Sequence, residues 1–231
     1  MKTQVVIIGG GPSGLLLSQL LNKGGVDTVI LERTSRERVL ARIRAGVLES
    51  GTVSMLEEAG VAERARLEGH PHTGCYLTDD DLMVRIDFQE LTGKQVLVYG
   101  QTEVTKDLYA AQDRLGTTIL HNVEDVKICE VESRAPFVTF VHEGKQKRLD
   151  CRYVAGCDGF HGVSRKTIPA EKRSEFERVY PFGWLGVLSN TKPANEELIY
   201  ANSSNGFALA SMRSETMSRY YVQVSTNDRV E

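Results

Sequence analysis

Short apolar runs alternate with stretches in which apolar residues recur every three or four positions, and this pattern predicts strands separated by helices. The runs at 4–8 and 28–31 predict buried strands, and the segment 12–23 between them predicts a helix. A second amphipathic helix is predicted over 47–60, where Gly60 supplies a C-terminal cap. Further strands are predicted at 75–78, 82–88, 96–99, 118–121, 126–131 and 137–143, and further helices at 102–115 and from Pro169 to about residue 179.

The pattern changes at Tyr180, after which only short strand-like runs follow, at 184–188, 197–200, 207–211 and 219–224. Such a succession of short runs predicts an antiparallel sheet. The order of elements therefore predicts an α/β fold class with two domains. The first is a Rossmann-like domain over 1–179, and the second is an incomplete β-sheet domain over 180–231, to which the strands within 75–98 contribute.

Composition changes this picture little. The 231 residues are 41% hydrophobic and 26% charged, as in ordinary globular proteins, and the net charge of −3 gives no case for nucleic acid or an anionic membrane as partner. No apolar stretch approaches the ~20 residues of a membrane span, and no signal peptide is recognised, so a cytoplasmic location is expected. No two of the four cysteines have Cys-x-x-Cys spacing, so the sequence predicts no metal site.

The segment 9–14 has the Gly-x-Gly-x-x-Gly spacing and lies between the first strand and the first helix. Gly9 permits a tight turn, Gly11 lets the backbone approach a pyrophosphate, and Gly14 lets helix and strand pack closely. The second strand ends in Glu32, where a carboxylate can accept a hydrogen bond from a ribose 2′-hydroxyl. Strand, spacing and acid together predict an FAD or NAD site, and the alternative is a glycine-rich turn in an ordinary α/β unit.

Several runs resemble one family, the class A flavoprotein aromatic hydroxylases. They are Gly9–Gly14, Arg42–Glu49, Tyr99–Val104, Gly156–Gly159, Tyr180–Gly186, Leu198–Asn202 and Ser218–Val224. The resemblance implies a Rossmann-like FAD-binding domain joined to an antiparallel-sheet substrate domain. The family continues with a Gly-Asp motif at the ribityl chain, a loop over the flavin ring and closing helices. The chain therefore resembles a member truncated at its C-terminus.

The resemblance also implies an activity. NADPH would reduce FAD, and one oxygen atom of dioxygen would be transferred to 4-hydroxybenzoate, giving 3,4-dihydroxybenzoate. The expected partners are a small aromatic acid and dioxygen, with a homodimer expected for the full-length protein. Two alternatives stay open: another FAD-dependent oxidoreductase of the same fold, such as a halogenase, and a non-catalytic FAD-binding fragment. A halogenase is disfavoured by the single tryptophan, Trp184. The 231-residue chain alone is expected not to hydroxylate.

Five positions match the family's substrate and proton-transfer residues. Arg213 matches the arginine that binds the substrate carboxylate. Ser211 and Tyr221 match the residues whose hydroxyl groups bind the same carboxylate. Tyr200 matches the tyrosine beside the substrate phenol, and His72 matches the solvent end of the proton path. Taken from the residues alone, Ser, Arg and Tyr are common on half-exposed strands, and a histidine in a loop is a weak signal.

Other positions match nucleotide contacts of the family. The expected FAD-binding residues are Gly9, Gly11, Ser13, Gly14, Glu32, Arg42, Arg44, Val47, Gln101, Asp158 and Arg219. The expected NADPH-binding residues are Arg33, Arg38, His161 and Arg165. The first two of these belong to the basic segment 33–44, which holds five arginines and one acidic residue. A charged run of this kind is usually the solvated face of a helix. In this segment, however, the excess of arginine over acidic residues favours phosphate binding.

Overall fold

The computed structural model describes residues 1–42 and 45–228. The α-helices are α1 (Pro12–Lys23), α2 (Arg36–Leu40), α3 (Ser50–Ala59), α4 (Glu63–Glu68), α5 (Phe88–Thr92), α6 (Gln101–Leu115) and α7 (Val163–Thr167). The strands are β1 (Val5–Ile8), β2 (Thr28–Leu31), β3 (Val47–Leu48), β4 (His70–His72), β5 (Gly74–Asp79), β6 (Leu82–Asp87), β7 (Val96–Val98), β8 (Thr118–Leu120), β9 (Glu124–Cys129), β10 (Phe137–His142), β11 (Lys145–Asp150), β12 (Tyr153–Gly156), β13 (Phe182–Ser189), β14 (Leu198–Ser203), β15 (Gly206–Ser214) and β16 (Met217–Ser225).

The chain forms two compact units, each assembled from separate segments. Unit 1 comprises Met1–Arg44, Met55–Arg64 and Gln101–Glu175, and unit 2 comprises Ala45–Ser54, Ala65–Gly100 and Phe176–Glu231. The strands β5, β6 and β7 thus lie in unit 2 with the C-terminal strands. The domain boundary between residues 179 and 180 stays a prediction.

Unit 1 contains a parallel sheet with strand order β12-β1-β2-β8. All residues of β1 and β2 are buried, which explains why both strands are uninterrupted runs of apolar and β-branched residues. Val6, Ile8 and Leu31 pack with Phe140 and Leu149 of the antiparallel sheet β11-β10-β9 in one apolar cluster. This core holds the carboxyl ends of β1 and β2 in place, and the glycine loop begins there.

A buried polar network joins α1 to α6 in unit 1. Gln112 of α6 donates to the Leu15 carbonyl (3.1 Å) and to Gln19 Oε1 (3.2 Å). Its own Oε1 accepts from the Ser18 hydroxyl (3.1 Å), which lies 2.7 Å from Thr28 Oγ1 in β2. Gln112 and Ser18 are fully buried, so this network of satisfied groups fixes α6 against the helix that follows the glycine loop.

Unit 2 is built on a sheet with strand order β13-β16-β15-β14-β5-β6. Neighbouring strands run antiparallel except for β14, which is parallel to β5. The sheet is therefore mixed, whereas the sequence predicted an antiparallel one, because the pairing of a strand with a distant segment leaves no local signal. A smaller antiparallel sheet, β3-β7-β4, completes the unit.

Two predicted elements were wrong in detail. The helix expected over 47–60 begins only at Ser50, because Val47 and Leu48 pair with β7. The helix expected after Pro169 is one 3₁₀ turn at Ala170–Lys172. The apolar side chains that follow this turn are exposed, and most helical stability in proteins comes from packing an apolar face.

Candidate functional site

The three motif glycines of unit 1 face different surroundings. Gly9 has φ +109°, and a Cβ there would overlap the Cys157 carbonyl of the neighbouring loop. A Cβ on Gly14 would overlap the Gly9 carbonyl. A Cβ on Gly11 would meet no atom within 4 Å. Gly9 and Gly14 are therefore required by the packing of the protein itself, whereas Gly11 borders open space in which a ligand has room.

Backbone donors surround the Glu32 carboxylate at the end of β2. The Gly10 N–H donates to Oε2 (2.7 Å), and the N–H and hydroxyl of Thr34 donate to Oε1 (2.9 and 2.8 Å). Glu32 is 7% exposed, and these charge-assisted bonds offset the cost of burying it. Since an ionised carboxylate offers about four acceptor positions, one remains for a hydroxyl donor.

The start of α1 has unused donors. Within residues 1–42 and 45–228, no acceptor pairs with the N–H groups of Gly11 or Ser13, and the Gly11 N-cap lacks a capping side chain. The first turn also has no acidic residue. Unpaired N–H groups at the positive end of a helix suit a phosphate. The loop therefore fits a dinucleotide pyrophosphate by its own chemistry.

The loop containing Asp158 lies directly beside the glycine loop. The Cys157 N–H donates to the Ile8 carbonyl (2.8 Å), which continues the pairing of β12 with β1. Asp158 Oδ2 accepts from the Ser164 N–H (3.0 Å) at the start of α7. A Cβ on Gly162 would overlap the Asp158 carboxylate, so this carboxylate is held firmly by the α7 turn.

His161 and Arg165 share an aromatic neighbour. The ring of the exposed His161 stands edge-on to Phe160, with centroids 5.0 Å apart. The Arg165 guanidinium lies 4.0 Å above the same ring and 3.8 Å from the Glu175 carboxylate. The structure thus brings these two expected NADPH residues together around Phe160.

The arginines of the basic segment are not equivalent. Arg36 forms two hydrogen bonds to the Asp113 carboxylate (3.0 and 2.7 Å), with its guanidinium 4.6 Å from the Tyr109 ring centre. Asp113 raises the pKa of Arg36 through these bonds. The side chains of Arg33, Arg38 and Arg42 are exposed. Arg36 therefore has a structural partner, and the exposed arginines are the ones open to a phosphate.

Two further expected FAD residues are the first residues of their elements. Gln101 is the first residue of α6, and the Thr102 hydroxyl next to it donates to the Arg42 carbonyl (3.3 Å). Val47 is exposed in β3. Arg44 lies outside the described residues.

In unit 2, the register of the large sheet gathers the expected substrate residues. Tyr200 is opposite Leu209, and Leu209 is opposite Tyr221. Ser211 is opposite Arg219 two pairs further along the same ladder, where the side chains return to the same face. Because directly opposed side chains point to the same face of a sheet, Tyr200, Ser211, Arg219 and Tyr221 share one face. The Arg219 guanidinium is buried and lies 5.6 Å from the Tyr221 ring centre.

Arg213 follows Ser211 on β15, where the pairing with β16 shifts register between Met212 and Ser214. Its guanidinium lies against the backbone of Gly46 and Gly100, and a Cβ on Gly46 would overlap it. A Cβ on Gly100 would lie 2.8 Å from Nη2. Two glycines from separate segments therefore make space for this side chain.

His72 is 3% exposed at the end of β4, although its sequence context suggested a loop. Neither ring nitrogen has a hydrogen-bond partner within the described residues. Burial lowers the pKa of His72, and Glu197 opposes part of that change. The imidazole is therefore held in its neutral form, with both nitrogens available to another group.

Tyr200 lies in the middle of the sheet, and burial raises the pKa of its phenol, to which Cys75 adds. The phenol therefore keeps its proton at neutral pH and can donate a hydrogen bond. Glu197, three residues earlier, accepts from Arg85 Nε (2.7 Å) and from the Thr73 hydroxyl (3.3 Å). These bonds lower the pKa of Glu197, with Arg85 as the largest cause, and the carboxylate stays ionised.

Sequence reasoning missed Tyr109, Gln112 and the Arg85–Glu197 pair. Tyr109 and Gln112 both lie on the buried side of α6. A polar atom in an otherwise apolar helical stripe is the signal that could have identified them, since buried polar groups need partners. The Arg85–Glu197 pair joins residues 112 positions apart, and no local pattern predicts it.

Other features of the described residues stand apart from these sites. A cavity of about 330 Å³ in unit 1 is lined by His121, Asn122, Glu124, Val141, His142, Glu143 and Gly144. Over the described ranges, no cluster of three or more His, Cys, Asp or Glu has a metal-binding arrangement. No helix in that part of the chain is long and apolar enough to cross a membrane.

Comparison with known proteins gives the context of these sites. The chain is 51% identical over 232 aligned residues to p-hydroxybenzoate hydroxylase of Acinetobacter baylyi, an alignment that covers 100% of this chain and 57% of the relative. It is 30% identical over 180 residues to a probable NADH-specific resorcinol 4-hydroxylase of Rhodococcus jostii, covering 72% of this chain and 32% of the relative. The chain thus spans little more than half the length of the first relative.

Solved structures match the fold. PqsL of Pseudomonas aeruginosa in complex with 2-aminobenzoylacetate superposes with a TM-score of 0.82 at 19% identity, covering 97% of this chain and 61% of that one. The p-nitrophenol 4-monooxygenase PnpA of Pseudomonas putida superposes with a TM-score of 0.80 at 18% identity, covering 99% and 59%. The predicted α/β fold class is confirmed.

The resemblance to the flavoprotein hydroxylases that the motifs predicted is also confirmed. The family described as the FAD binding domain matches residues 2–231. The glycine loop, the carboxylate at the end of β2 and the adjoining Asp158 loop all lie within the match. The chain belongs to the FAD binding domain family.

Proposed function

We propose that this chain is the FAD- and substrate-binding part of a flavoprotein monooxygenase that converts 4-hydroxybenzoate to 3,4-dihydroxybenzoate with NADPH and dioxygen. The observation that carries the proposal is the shared sheet face of Tyr200, Ser211 and Tyr221. The 51% identity to a p-hydroxybenzoate hydroxylase supports the choice of substrate. A homodimeric, cytoplasmic full-length protein is part of the same proposal.

FAD would be held at the carboxyl end of β1. The Gly11 and Ser13 N–H groups would donate to its pyrophosphate, and the remaining acceptor position of Glu32 would take a ribose hydroxyl. Arg42, Arg44, Val47, Gln101, Asp158 and Arg219 are the further proposed FAD contacts. Bound FAD would supply the chemistry that couples oxidation of NADPH to activation of dioxygen.

The substrate would be oriented by its carboxylate. A guanidinium can bind a carboxylate through two parallel hydrogen bonds, which fixes direction as well as affinity, and Arg213 offers such a group. The hydroxyls of Ser211 and Tyr221 would add hydrogen bonds to the same carboxylate. The substrate ring would then lie along the sheet face toward Tyr200.

Proton transfer would begin at Tyr200. Because burial raises its pKa, the Tyr200 phenol is a stable proton donor that can stabilise a substrate phenolate through a hydrogen bond. His72 would carry the proton outward, and its neutral imidazole with two unpaired nitrogens can accept from one side and donate on the other.

NADPH would approach a basic surface. Arg33 and Arg38 are exposed near the end of β2, and a 2′-phosphate would find positive charge there. His161 and Arg165 are the second proposed contact region for this nucleotide. Arg36 is left out of the proposal because Asp113 already binds it.

Trp184 provides a direct test of substrate binding. It is the one tryptophan of the chain, and it is opposite Gln223, which shares a sheet face with Tyr221. Titration of the chain with 4-hydroxybenzoate should change its fluorescence in a saturable way. The amide 4-hydroxybenzamide is the matched control, and equal responses to both compounds would contradict carboxylate recognition.

The reaction itself is tested in the full-length protein. With NADPH, oxygen and 4-hydroxybenzoate, chromatography should detect 3,4-dihydroxybenzoate. Tyr200→Phe keeps the ring and removes the hydroxyl, so NADPH consumption should continue while product falls and hydrogen peroxide rises. Undiminished product per NADPH in that variant would remove Tyr200 from the reaction.

A further inference from the structure

Tyr109 reaches the glycine loop from α6. Its side chain is fully buried, and its hydroxyl donates to the Gly10 carbonyl (3.2 Å). Gly10 is the residue between the first two motif glycines, and its N–H is bound by Glu32 (2.7 Å). Both backbone groups of Gly10 are therefore held by side chains, one from β2 and one from α6.

The planarity of the peptide bond extends this contact to Gly11. In a trans peptide, the carbonyl of one residue and the N–H of the next lie in one plane and point in opposite directions. A donor that fixes the Gly10 carbonyl therefore also fixes the Gly11 N–H. That N–H has no acceptor within the described residues, and the space beside Gly11 is open.

The Tyr109 ring has two further side-chain neighbours. The His121 imidazole stacks on it with centroids 5.8 Å apart, and the Arg36 guanidinium lies 4.6 Å from its centre. Arg36 is fixed in turn by its two hydrogen bonds to Asp113. Burial, and then the nearby Glu32 carboxylate, raises the pKa of Tyr109, so that the phenol remains a donor.

We infer that Tyr109 is a positioning residue, which aims the Gly11 N–H at the cofactor pyrophosphate by holding the Gly10 carbonyl. The inference rests on the proposed placement of FAD at the glycine loop. It gives α6, which supplies no motif glycine, a direct role in nucleotide affinity.

The test compares ligands with and without a pyrophosphate. Tyr109→Phe keeps the stacked ring and removes the hydroxyl. Calorimetric titration of the chain should show FAD and ADP binding weakened about 3- to 10-fold, the range of one net hydrogen bond. Binding of riboflavin and adenosine, which lack the pyrophosphate, should not change. Tyr153→Phe on β12, whose side chain is exposed, is the matched control and should bind all four ligands normally.

Three results would overturn the inference. One is unchanged FAD and ADP affinity in Tyr109→Phe. The second is an equal loss for adenosine or riboflavin, which would indicate general distortion. The third concerns folding: Tyr109→Met removes the same donor, and loss of the fold in both variants would make Tyr109 a core residue only. Absence of FAD binding by the unmodified full-length protein would instead overturn the placement of FAD and this inference with it.

Discussion

The nucleotide loop of unit 1 and the substrate face of unit 2 are built by different means. The loop presents backbone N–H groups, and its shape depends on glycines whose missing side chains leave room for neighbouring backbone. The sheet face presents side chains, and its composition depends on which residues lie opposite one another in the ladder. The motif glycines lie within six consecutive residues, whereas the sheet face forms only when β14, β15 and β16 pair.

This difference determines how each site can fail. At Gly9 or Gly14, an added methyl group would displace the backbone and hence several donors of the loop at once. In the sheet, a substitution removes one side chain while the ladder remains. Substitution of a glycine packed against neighbouring backbone, such as Gly9, should therefore impair fold and function together. Substitution of Gly11, which borders open space, or of a side chain on the sheet face should impair function alone. Each of the following predictions tests this distinction.

The largest effect is expected from a pair of glycine substitutions in the loop. Gly9→Ala places a side chain at φ +109° and against the Cys157 carbonyl, so unfolding free energy should fall by about 2–4 kcal/mol. Gly11→Val projects into open space, so the fold should persist while FAD is excluded. Thermal unfolding and FAD titration of both variants separate the two outcomes. A folded Gly11→Val chain that retains full FAD affinity would place the pyrophosphate elsewhere.

A smaller effect is expected at Arg213. In the full-length protein, Arg213→Ala should weaken 4-hydroxybenzoate binding about 10- to 150-fold, the range of a lost charge-assisted bond. Gly46→Ala should reproduce much of that loss, because the new methyl group overlaps the guanidinium and displaces it. Gly46 lacks a positive φ, so little backbone strain is added and the melting temperature should change little.

The control for this pair is Gly51→Ala, whose added Cβ meets no atom within 4 Å. It should bind substrate and unfold as the unmodified protein does. Normal substrate affinity in Gly46→Ala would show that the guanidinium has another position from which it binds equally well.

The same contrast explains what sequence could predict. The glycine loop, β1, α1 and β2 follow from local spacing and apolar runs, and their boundaries agree with the structure to within one residue. The resemblance supplied the residues of the sheet face. Neither source predicted that Gly46 and Gly100 border Arg213, or that Tyr109 reaches Gly10, because these contacts join segments distant in sequence.

Arg38 and Arg36 provide a finer comparison within the basic segment. Arg38→Glu should shift the preference of the full-length protein from NADPH toward NADH, since a carboxylate repels a 2′-phosphate. Arg36→Ala should leave that preference unchanged and lower stability by no more than about 1 kcal/mol, as expected for a partly exposed ion pair. The measurement is the ratio of kcat/KM for NADPH to kcat/KM for NADH in each variant. An equal change of this ratio in both variants would show that Arg36 also contacts the nucleotide, although it pairs with Asp113.

The smallest expected effect is the pH dependence of stability caused by His72. Because burial lowers its pKa below the ordinary 6.5, the unfolded chain binds a proton at His72 more readily than the folded chain does. Stability from this residue is therefore complete above pH 6.5 and decreases as pH falls below it, by at most about 1.4 kcal/mol per pH unit. Glu197, whose pKa is lowered, acts in the same direction but only below its ordinary value of 4.5. Denaturant unfolding between pH 5 and 7 should therefore give a shallower slope for His72→Gln than for the unmodified chain. Identical slopes in His72→Gln and the unmodified chain would mean that His72 is protonated as easily in the folded state as in the unfolded one.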